Sequence, residues 1–524
     1  MSDKNWWRGA VMYQIYPRSF MDSNGDGIGD LKGITTRLPY VANLGVDGIW
    51  LSPFFKSPMK DFGYDVSDYR DVDPLFGTLA DFDDLLATAH RLGLKVIIDQ
   101  VMNHTSDQHA WFKESLQSRA NPKADWYIWA DPKPDGTPPN NWHSMFGGPA
   151  WSFSPKRGQY YMHNFLTSQP DLNFHNPAVQ DAVLDECRFW LERGVDGFRL
   201  DVTNYFFCDP QLRDNPPRVQ DMSTSANQAD FPYPYNMQYH QFDKSQPENM
   251  AFLERLRSLL DEFGSTMSVG EIGDDNPVQL AAAYTAGTHR LHTCYQFSYM
   301  NGRKNKLGAS LIRKPLEDFF AQGPDSWPSW AFSNHDVVRA VTRFGNDARD
   351  PRLAKLLIAL LCSLRGTPFL YQGEELGLPE AQLAYEDLQD PWGIALWPEW
   401  QGRDGCRTPM PWDNTPTKAG FTTASQTWLP LPDAHIPLCV AAQETDSHSV
   451  LSFTRQFLKQ RKTMPALISG DIRFVDTANE SILVFTRTAD HQTVTCIFNL
   501  SDQAQTWQQE SLPPYGFLLQ DCHS

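Results

Sequence analysis

The sequence lacks long uncharged apolar runs, an N-terminal leader pattern and paired cysteine motifs. No stretch of about 18 uncharged apolar residues occurs, which argues against a transmembrane helix. Residues 1–10 carry Asp3, Lys4 and Arg8 without an apolar core, so they do not resemble a signal peptide. The cysteines are scattered, with no CxxC pair and no zinc-type spacing with histidine. This pattern predicts reduced thiols and a cytoplasmic protein.

Basic residues are fewer than acidic ones. The 524-residue chain has 63 acidic and 45 basic residues, a formal net charge of −18. Nucleic acid and anionic membranes repel such a chain, so neither is an expected partner. The charge is compatible with a neutral substrate, and it is equally well explained by colloidal solubility. With 41% hydrophobic residues, the chain can bury a large core in more than one domain.

Short apolar runs alternate with segments of helical period. Near-continuous apolarity is typical of strands buried on both faces, as in a parallel sheet. Segments such as 80–92 and 179–193 have helical spacing with charged residues on one face. Repeated strand–helix alternation over most of the chain predicts the α/β class and an eight-stranded (β/α)8 TIM barrel. The eight predicted strands are 11–16, 46–51, 94–101, 195–202, 266–272, 294–299, 329–333 and 368–371.

Two segments interrupt this alternation, and the C-terminal part has a different period. Residues 105–173 are rich in Trp, Pro, Gly and Asn and predict a loop-rich domain inserted after the third strand. Residues 208–248 form a second excursion, after the fourth strand. Alternating residues in 482–486 and 493–499 predict a C-terminal antiparallel β-sandwich. The predicted domains are the barrel (1–104 and 174–465), the inserted domain (105–173) and the sandwich (466–524).

Four acidic residues stand at the predicted carboxyl ends of strands. They are Asp99, Asp201, Glu271 and Asp336, and each follows an apolar run. Burying an unpaired charge there costs several kcal/mol. In a β/α barrel these strand ends surround the active site, so the four residues are expected to meet in one site.

Two of these carboxyl groups suit the cleavage of a glycosidic bond. A separation of about 5–5.5 Å allows a covalent intermediate and retention of configuration, whereas a wider gap admits water and inverts. Adjacent strands lie about 4.8 Å apart, which suits Asp201 on the fourth strand and Glu271 on the fifth. Arg199 shares a strand face with Asp201 and would keep it ionised as a nucleophile. Glu271 would then be the acid, with a pKa raised by the neighbouring charge.

The motifs resemble those of a known family. Segments 99–104 (DQVMNH), 197–201 (GFRLD), 270–272 (GEI) and 333–336 (SNHD) are similar, in order and spacing, to the four signature segments of glycoside hydrolase family 13, the α-amylase superfamily. The resemblance extends from residue 11 to about 412. It implies that Asp201 is the nucleophile, Glu271 the acid/base and Asp336 the residue that holds the sugar hydroxyls. It also implies that His104, Arg199 and His335 contact the glucose.

Further segments resemble the α-glucosidase and oligo-1,6-glucosidase branch of this family. They are 60–65 (KDFGYD), with Asp61 and Tyr64, 169–173 (QPDLN) and 402–410 (GRDGCRTPM). In that branch an Asp–Arg pair, here Asp61 and Arg403, closes the pocket around the non-reducing end. The branch therefore implies an enzyme that releases single glucose units from short α-glucosides. A structural salt bridge is the alternative interpretation of Arg403.

Linkage preference stays open at this point. In the family, valine after the nucleophile accompanies α-1,6 cleavage, and Val202 occupies that position. Segment 209–217 (DPQLRDNPP) instead resembles α-glucosidases that prefer short α-1,4 substrates and transfer glucose to alcohols and phenols. The alternatives are thus a maltose-like or isomaltose-like substrate, an oligo-1,6-glucosidase, and a glucosyltransferase or sucrose isomerase. Phe297 either walls the acceptor side or packs in the core.

Segment 22–30 (DSNGDGIGD) begins like a calcium-binding loop. Asp22, Asn24 and Asp26 offer oxygen ligands at positions one, three and five, and the backbone carbonyl of Ile28 and the carboxylate of Asp30 follow. Position twelve is a glycine, which excludes a true EF-hand. Family relatives bind Ca²⁺ or Mg²⁺ in this first loop. The resemblance therefore implies a structural Ca²⁺ or Mg²⁺ ion away from the catalytic carboxylates, and no organic cofactor.

Three rival functions differ from a glucosidase in testable ways. A non-enzymatic transporter subunit or scaffold of the superfamily would carry a membrane helix and lack the catalytic carboxylates. A transferase or isomerase would use the same covalent intermediate but give it to a sugar or alcohol acceptor instead of water. A starch-degrading endo-amylase would need an open cleft rather than a closed pocket.

Overall fold

The computed structural model of the protein describes residues 4–218, 233–302, 304–346, 349–416 and 418–523. Part of the second predicted excursion, residues 219–232, lies outside the described residues. The strands are β1 (Met12–Ile15), β2 (Gly48–Leu51), β3 (Phe55–Lys56), β4 (Asp68–Val72), β5 (Lys95–Gln100), β6 (Trp129–Ala130), β7 (Trp151–Ser154), β8 (Gln159–Met162), β9 (Gly197–Leu200), β10 (Met267–Ile272), β11 (Thr293–Gln296), β12 (Ser329–Ala331), β13 (Thr367–Tyr371), β14 (Asp471–Val475), β15 (Ile482–Ala489), β16 (Gln492–Asn499), β17 (Gln505–Trp507), β18 (Glu510–Leu512) and β19 (Phe517–His523). The helices are α1 (Leu31–Leu44), α2 (Leu79–Arg91), α3 (Ala110–Ser115), α4 (Pro177–Arg193), α5 (Asn249–Glu262), α6 (Pro277–Tyr284), α7 (Ala309–Gln322), α8 (Ala340–Phe344), α9 (Pro351–Ser363), α10 (Pro391–Leu396), α11 (Val440–Glu444), α12 (Val450–Arg461) and α13 (Pro465–Ser469).

Eight parallel strands form a barrel, which confirms the predicted fold class. Their order around the sheet is β11, β10, β9, β5, β2, β1, β13 and β12. A parallel bridge between Cys294 and Pro328 joins the two ends of this order. Each predicted apolar run overlaps one of these strands, and β11 and β13 begin one residue before their predicted runs. The sixth strand ends at Gln296, before the predicted end at residue 299. The Gln296 side chain accepts a hydrogen bond from the backbone N–H of Ser298, and Phe297–Tyr299 form a 3-10 turn.

The outer helices follow from their sequence signals. Helix α2 starts with a capping box, in which Thr78 and Asp81 each bond the other's backbone N–H, and it buries Phe82 and Leu85. Helix α4 starts at Pro177 and ends before Gly194, whose φ of 102° is left-handed and suits glycine. These two helices correspond to the predicted segments 80–92 and 179–193.

The segment after β5 builds a small sheet that borders the site. Strands β6, β8 and β7 form an antiparallel three-stranded sheet with its own apolar cluster, which includes Trp142 and Trp151. Isolated antiparallel bridges from His104 to Asp171 and from Tyr127 to Leu172 join the two ends of the segment. The segment therefore returns to the barrel at the strand end from which it left.

The C-terminal strands form two antiparallel layers. The first is a four-stranded sheet in the order β14, β15, β16 and β19, and the second is the hairpin of β17 and β18. Leu512 of the hairpin packs with Val484 and Ile497 of the sheet, so the predicted C-terminal β-sandwich is confirmed. The buried Arg487 ties the sheet to the barrel, since its Nη1 donates to the carbonyl of Ser363 at 2.6 Å.

The sequence predicts a chain without transmembrane helices and with reduced cysteines. Over the ranges that the structure covers, no helix combines the length and the apolarity needed to cross a membrane. Seven cysteines are free and buried, namely Cys187, Cys208, Cys294, Cys362, Cys406, Cys439 and Cys496. Free thiols at these seven positions support the prediction of reduced cysteines, and the side chain of Cys522 lies outside the described part.

Gly197 on strand β9 provides a test of barrel packing. A Cβ atom there would stand 1.9 Å from the carbonyl oxygen of Met267 on β10, and its φ is +144°. Gly197→Ala should therefore lower the free energy of unfolding by about 3 kcal/mol or more. Gly93 is a matched control with φ +79° and open space around its Cβ position. Gly93→Ala should cost only roughly 1–2 kcal/mol, and equal losses in denaturant titrations would contradict the packing argument.

Candidate active site

A cavity that is open to solvent lies where the carboxyl ends of the barrel strands meet. Asp201, Glu271 and Asp336 all line it, so the structure brings the three predicted catalytic carboxylates together. The other lining residues are Asp61, Tyr64, His104, Met145, Phe146, Phe165, Val202, Tyr205, Gly273, Phe297, Trp392 and Arg403.

Arg199 holds three carboxylates on one guanidinium group. Its side chain is completely buried, and its Nη1 lies 2.8 Å from both Asp99 and Asp201. Its Nη2 donates to Oε2 of Glu271 at 2.5 Å and to the hydroxyl of Tyr295 at 2.8 Å. The two predicted reacting carboxylates are therefore fixed to the two ends of one planar group.

Burial raises the pKa of each carboxylate in this group, because the low-polarity interior disfavours the charged form. The pKa of Asp201 rises to about 7 and that of Glu271 to about 8, although Arg199 opposes both shifts. The prediction that Arg199 keeps Asp201 ionised is therefore wrong as stated, because burial outweighs the cation. Burial is also the main cause of the raised pKa of Glu271, and the negative charges of Asp201 and Asp336 raise this pKa further. The proton resides preferentially on Glu271.

Asp336 has the opposite electrostatic setting. Burial alone would raise its pKa, but the permanent cations Arg403 and Arg407 oppose burial and hold the pKa well below its usual range. Nη2 of Arg407 donates to Oδ1 of Asp336 at 2.9 Å, and Nη1 of Arg403 donates to the same oxygen at 3.2 Å. Asp336 is therefore a permanent anion beside two carboxyl groups that share protons.

Asp61 and Arg403 form the predicted pair, and both line the cavity. Nη2 of Arg403 donates to Oδ1 of Asp61 at 2.8 Å, and the amide of Gln169 donates to Oδ2 at 3.0 Å. Arg403 also donates to both carboxylate oxygens of the buried Asp390. Its guanidinium lies 5.2 Å from the ring centre of Phe146. Arg403 thus belongs to a five-group cluster, which is more than an isolated salt bridge.

His335 and Arg199 are not among the lining residues, because both lie behind the carboxylates. The ring of His335 stacks on Tyr64, with ring centres 5.4 Å apart. Tyr64 donates to Asp99, so its oxygen accepts from Nε2 of His335 at 2.5 Å, while the amide of Gln14 donates to Nδ1 at 2.7 Å. Burial lowers the pKa of His335 far below its usual value, so the ring is neutral. The predicted contacts of Arg199 and His335 with glucose stay a prediction.

His104 and Val202 line the cavity as expected. Burial lowers the pKa of His104 to about 3, and its Nε2 lies 3.1 Å from the carbonyl oxygen of Tyr64. Val202 has a φ of 38°, which is strained for a β-branched residue. In this conformation its N–H donates to Oε2 of Glu271 at 3.1 Å. The residue after Asp201 therefore touches the acid/base candidate as well as the cavity.

An apolar wall faces the catalytic carboxylates. Phe297 lines the cavity and also packs on the core cluster inside the barrel, and its place on the acceptor side stays a prediction. Met145, Phe146 and Phe165 come from the inserted segment, and Trp392 comes from α10. Sequence reasoning missed Phe146, Trp392, Tyr295 and Asp390, because no local motif marks them. Arg407 did have a signal, since it lies in the same motif as Arg403.

The predicted metal loop is closed by its own hydrogen bonds. Asp22 accepts from the N–H groups of Asn24, Gly25 and Gly27 at 2.7–2.9 Å. Asp30 caps helix α1 through Gly33 and also accepts from Ser23. The donor oxygens have the chemistry that a hard cation prefers. Across the described ranges, no three His, Cys, Asp or Glu side chains are grouped as metal ligands.

Replacing Arg199 should reveal how much it screens the carboxylates. Arg199→Met leaves Asp99, Asp201 and Glu271 buried together without their cation, a loss of about 3–5 kcal/mol near neutral pH. The pKa values of these three carboxyl groups would rise further above their values in the unfolded chain. The loss of unfolding free energy should therefore grow as pH rises and shrink as pH falls. Urea unfolding at about pH 8 and about pH 5.5 measures this difference. Adding Asp99→Asn to Arg199→Met should restore part of the stability, and a pH-independent loss would contradict the argument.

Known protein families match both parts of the chain. The model for the alpha amylase catalytic domain matches residues 14–470, and the model for the maltogenic amylase C-terminal domain matches residues 472–517. Among solved structures, an alpha-glucosyl transfer enzyme, XgtA, superposes with a TM-score of 0.94 at 54% identity, covering 98% of this chain and 99% of that chain. The trehalulose synthase MutB from Pseudomonas mesoacidophila MX-45 superposes with a TM-score of 0.88 at 31% identity, with 98% and 99% covered.

Similar proteins with assigned names come from the same family. A probable alpha-glucosidase of Rhizobium meliloti (strain 1021) is 57% identical over 98% of this chain and 94% of its own length. An oligo-1,6-glucosidase of Heyndrickxia coagulans is 37% identical over 96% of this chain and 94% of its own length. The chain therefore belongs to the α-amylase family, glycoside hydrolase family 13, and is a glycoside hydrolase of its α-glucosidase branch.

Proposed function

We propose that the protein is a retaining exo-acting α-glucosidase, which releases glucose from the non-reducing end of short α-glucosides. One observation carries this proposal. Asp201 and Glu271 are held on the two ends of the Arg199 guanidinium, inside a cavity that Asp61 and Arg403 close at one end.

The proposed reaction has two steps. The carboxylate of Asp201 attacks the anomeric carbon and forms a glucosyl ester, while the Glu271 carboxyl gives its proton to the leaving glycosidic oxygen. A water molecule then attacks the same carbon and gives its proton to Glu271, which frees Asp201. The higher pKa of Glu271 suits this order, since Glu271 holds the proton when Asp201 is ionised. Asp336 and its two arginines would bind hydroxyls of the strained sugar.

The closed end of the cavity supports exo action. Asp61 presents two carboxylate oxygens, held in fixed geometry by Arg403 and Gln169, which suits the vicinal hydroxyls of one sugar ring. Because Asp390 and Phe146 hold Arg403 in place, a longer glucan chain cannot pass through this end. A starch-cleaving endo-amylase would need an opening there.

For the cleaved linkage, we propose maltose-like substrates first, with isomaltose-like substrates as the second candidate on account of Val202. The similar proteins named alpha-glucosidase and oligo-1,6-glucosidase support both. The apolar wall of Phe165, Phe297 and Trp392 supports glucosyl transfer to sugar or alcohol acceptors, and a cytoplasmic location is proposed with the function.

Asp201→Asn tests the assigned nucleophile. It should reduce hydrolysis at least about ten-thousandfold and leave the thermal unfolding transition nearly unchanged. Initial rates of the natural enzyme on maltose, isomaltose, sucrose, maltotriose and soluble starch test the substrate class. We expect glucose from the short sugars and no detectable attack on starch. Substantial activity of the Asn variant would mean that another residue is the nucleophile, and rapid starch cleavage would overturn exo action.

The proton arrangement predicts a bell-shaped dependence of kcat/KM on pH. Activity should fall as pH drops through about 7, because Asp201 takes up a proton, and should fall as pH rises through about 8, because Glu271 loses one. Glu271→Gln, assayed with a substrate whose leaving group needs no protonation, should lose the alkaline limb and keep the acid limb. An alkaline limb that persists in this variant would assign the acid to another group.

We also propose that the loop of Asp22, Asn24, Asp26, Ile28 and Asp30 binds a structural Ca²⁺ or Mg²⁺ ion. The support is its set of oxygen donors. A ligand that binds only the folded state raises its melting temperature. Thermal unfolding in EDTA should therefore occur at a lower temperature than in excess Ca²⁺ or Mg²⁺, and Asp26→Asn should reduce this difference. Identical melting temperatures in all three conditions would rule the site out.

A further inference from the structure

Lys244 carries a buried ammonium group beside the cavity. It lies in the excursion after β9, and only 4% of the residue is exposed. Its Nζ donates to the hydroxyls of Tyr205 and Tyr235, both at 3.0 Å, and to the carbonyl oxygen of Gly273 at 2.9 Å. An ammonium group has three protons to donate, so these three acceptors satisfy it completely.

A buried ammonium is costly, so its hydrogen bonds must hold it in one place. Leaving such a charge without partners in the interior costs several kcal/mol. The rings of Tyr205 and Tyr235 add cation–π contacts, with Nζ 4.7 and 5.4 Å from their centres. The two hydroxyls also bond to each other at 2.8 Å. Moving either tyrosine would remove an acceptor from the ammonium, so the three groups form one rigid cluster.

Two of the three acceptors belong to residues that line the cavity. Tyr205 and Gly273 both line it, and Gly273 follows Glu271 by two residues at the end of β10. The side chain of Asn204 donates to the same carbonyl of Gly273 at 3.0 Å. The ring of Tyr205 lies 5.7 Å from that of Phe165, another lining residue. Lys244 therefore connects one wall of the cavity to the strand end that carries Glu271.

We propose that Lys244 is a positioning residue for the acceptor side of the site. Its ammonium fixes Tyr205 and Gly273 beside Glu271, where the leaving sugar departs and where water or an alcohol enters. The inference rests on the proposed function, since it needs Glu271 as acid/base. It assigns no contact between Lys244 and the bound glucose, which the Asp61–Arg403 end of the cavity holds.

This position predicts unequal effects on two substrates. Maltose has a glucose leaving group that must fit against the acceptor wall, whereas α-glucosyl fluoride releases only a fluoride ion. Lys244→Met keeps the side-chain volume and removes the charge and its three hydrogen bonds. Its loss of kcat/KM should be larger on maltose than on glucosyl fluoride by about ten- to a hundredfold, because small displacements of positioning groups cost up to about a hundredfold.

Product partitioning supplies a second measurement on the same variant. With glucosyl fluoride as donor and benzyl alcohol as acceptor, the glucosyl group goes from Asp201 either to water or to the alcohol. The ratio of benzyl glucoside to free glucose should fall in Lys244→Met, since water needs no shaped wall. Lys314→Met is the matched control, because Lys314 is 74% exposed and pairs with Asp318 on helix α7. It should behave as the natural enzyme does in both assays.

Tyr235→Phe gives a milder version of the same test. Tyr235 does not line the cavity, so its effect must act through the two groups that its hydroxyl bonds, the Lys244 ammonium and the Tyr205 hydroxyl. We expect the ratio of kcat/KM on maltose to kcat/KM on glucosyl fluoride to fall about fivefold, since Lys244 keeps its bonds to Tyr205 and Gly273. Equal losses on both substrates, or no loss in either variant, would overturn the positioning role. A natural enzyme inactive on maltose, isomaltose and glucosyl fluoride alike would instead overturn the proposed function, and the inference with it.

Discussion

One buried guanidinium shared by three carboxylates is the constraint from which the chemistry of this site follows. Arg199 bonds to Asp99, Asp201 and Glu271; Arg199 and Asp99 are fully buried, and Asp201 and Glu271 expose only 9% and 7% of their side chains. One cation cannot balance three buried anions, so the cluster must retain protons near neutral pH. Glu271 has the highest pKa of the three and keeps its proton longest. The excess of carboxylates over cations thus creates the acid that glycoside cleavage needs.

The fold was predictable because barrel strands and their helices leave local signals. Residues 48–51 (GIWL) carry no polar side chain, which distinguishes a strand buried on both faces, and helix α2 carries a capping box. The positions of the candidate carboxylates were predictable for a related reason. A charged residue at or just past the end of such a strand, as Asp201 is after β9, lies at the edge of the barrel where all strand ends share one site.

Other parts of the site depend on contacts between distant segments, which no local pattern records. Asp390 fixes Arg403 from a loop with no recognisable motif, and Lys244 meets Gly273 only after the excursion folds back. The protonation of Asp201 was misjudged for a similar reason. A neighbouring arginine is visible in the sequence, but the depth of burial that outweighs it depends on the whole barrel.

The lining of the cavity combines two kinds of residues. Asp61, Asp336 and Arg403 belong to a hydrogen-bonded cluster of charged groups, where a neutral substitution leaves a buried charge unpaired. Phe165, Phe297 and Trp392 are aromatic, and the packing of apolar groups tolerates change more readily. Structures named as an alpha-glucosyl transfer enzyme and as a trehalulose synthase superpose closely on this chain. Since these two names differ although both folds superpose on this one, the fold alone does not fix the activity, and side chains are expected to distinguish the activities.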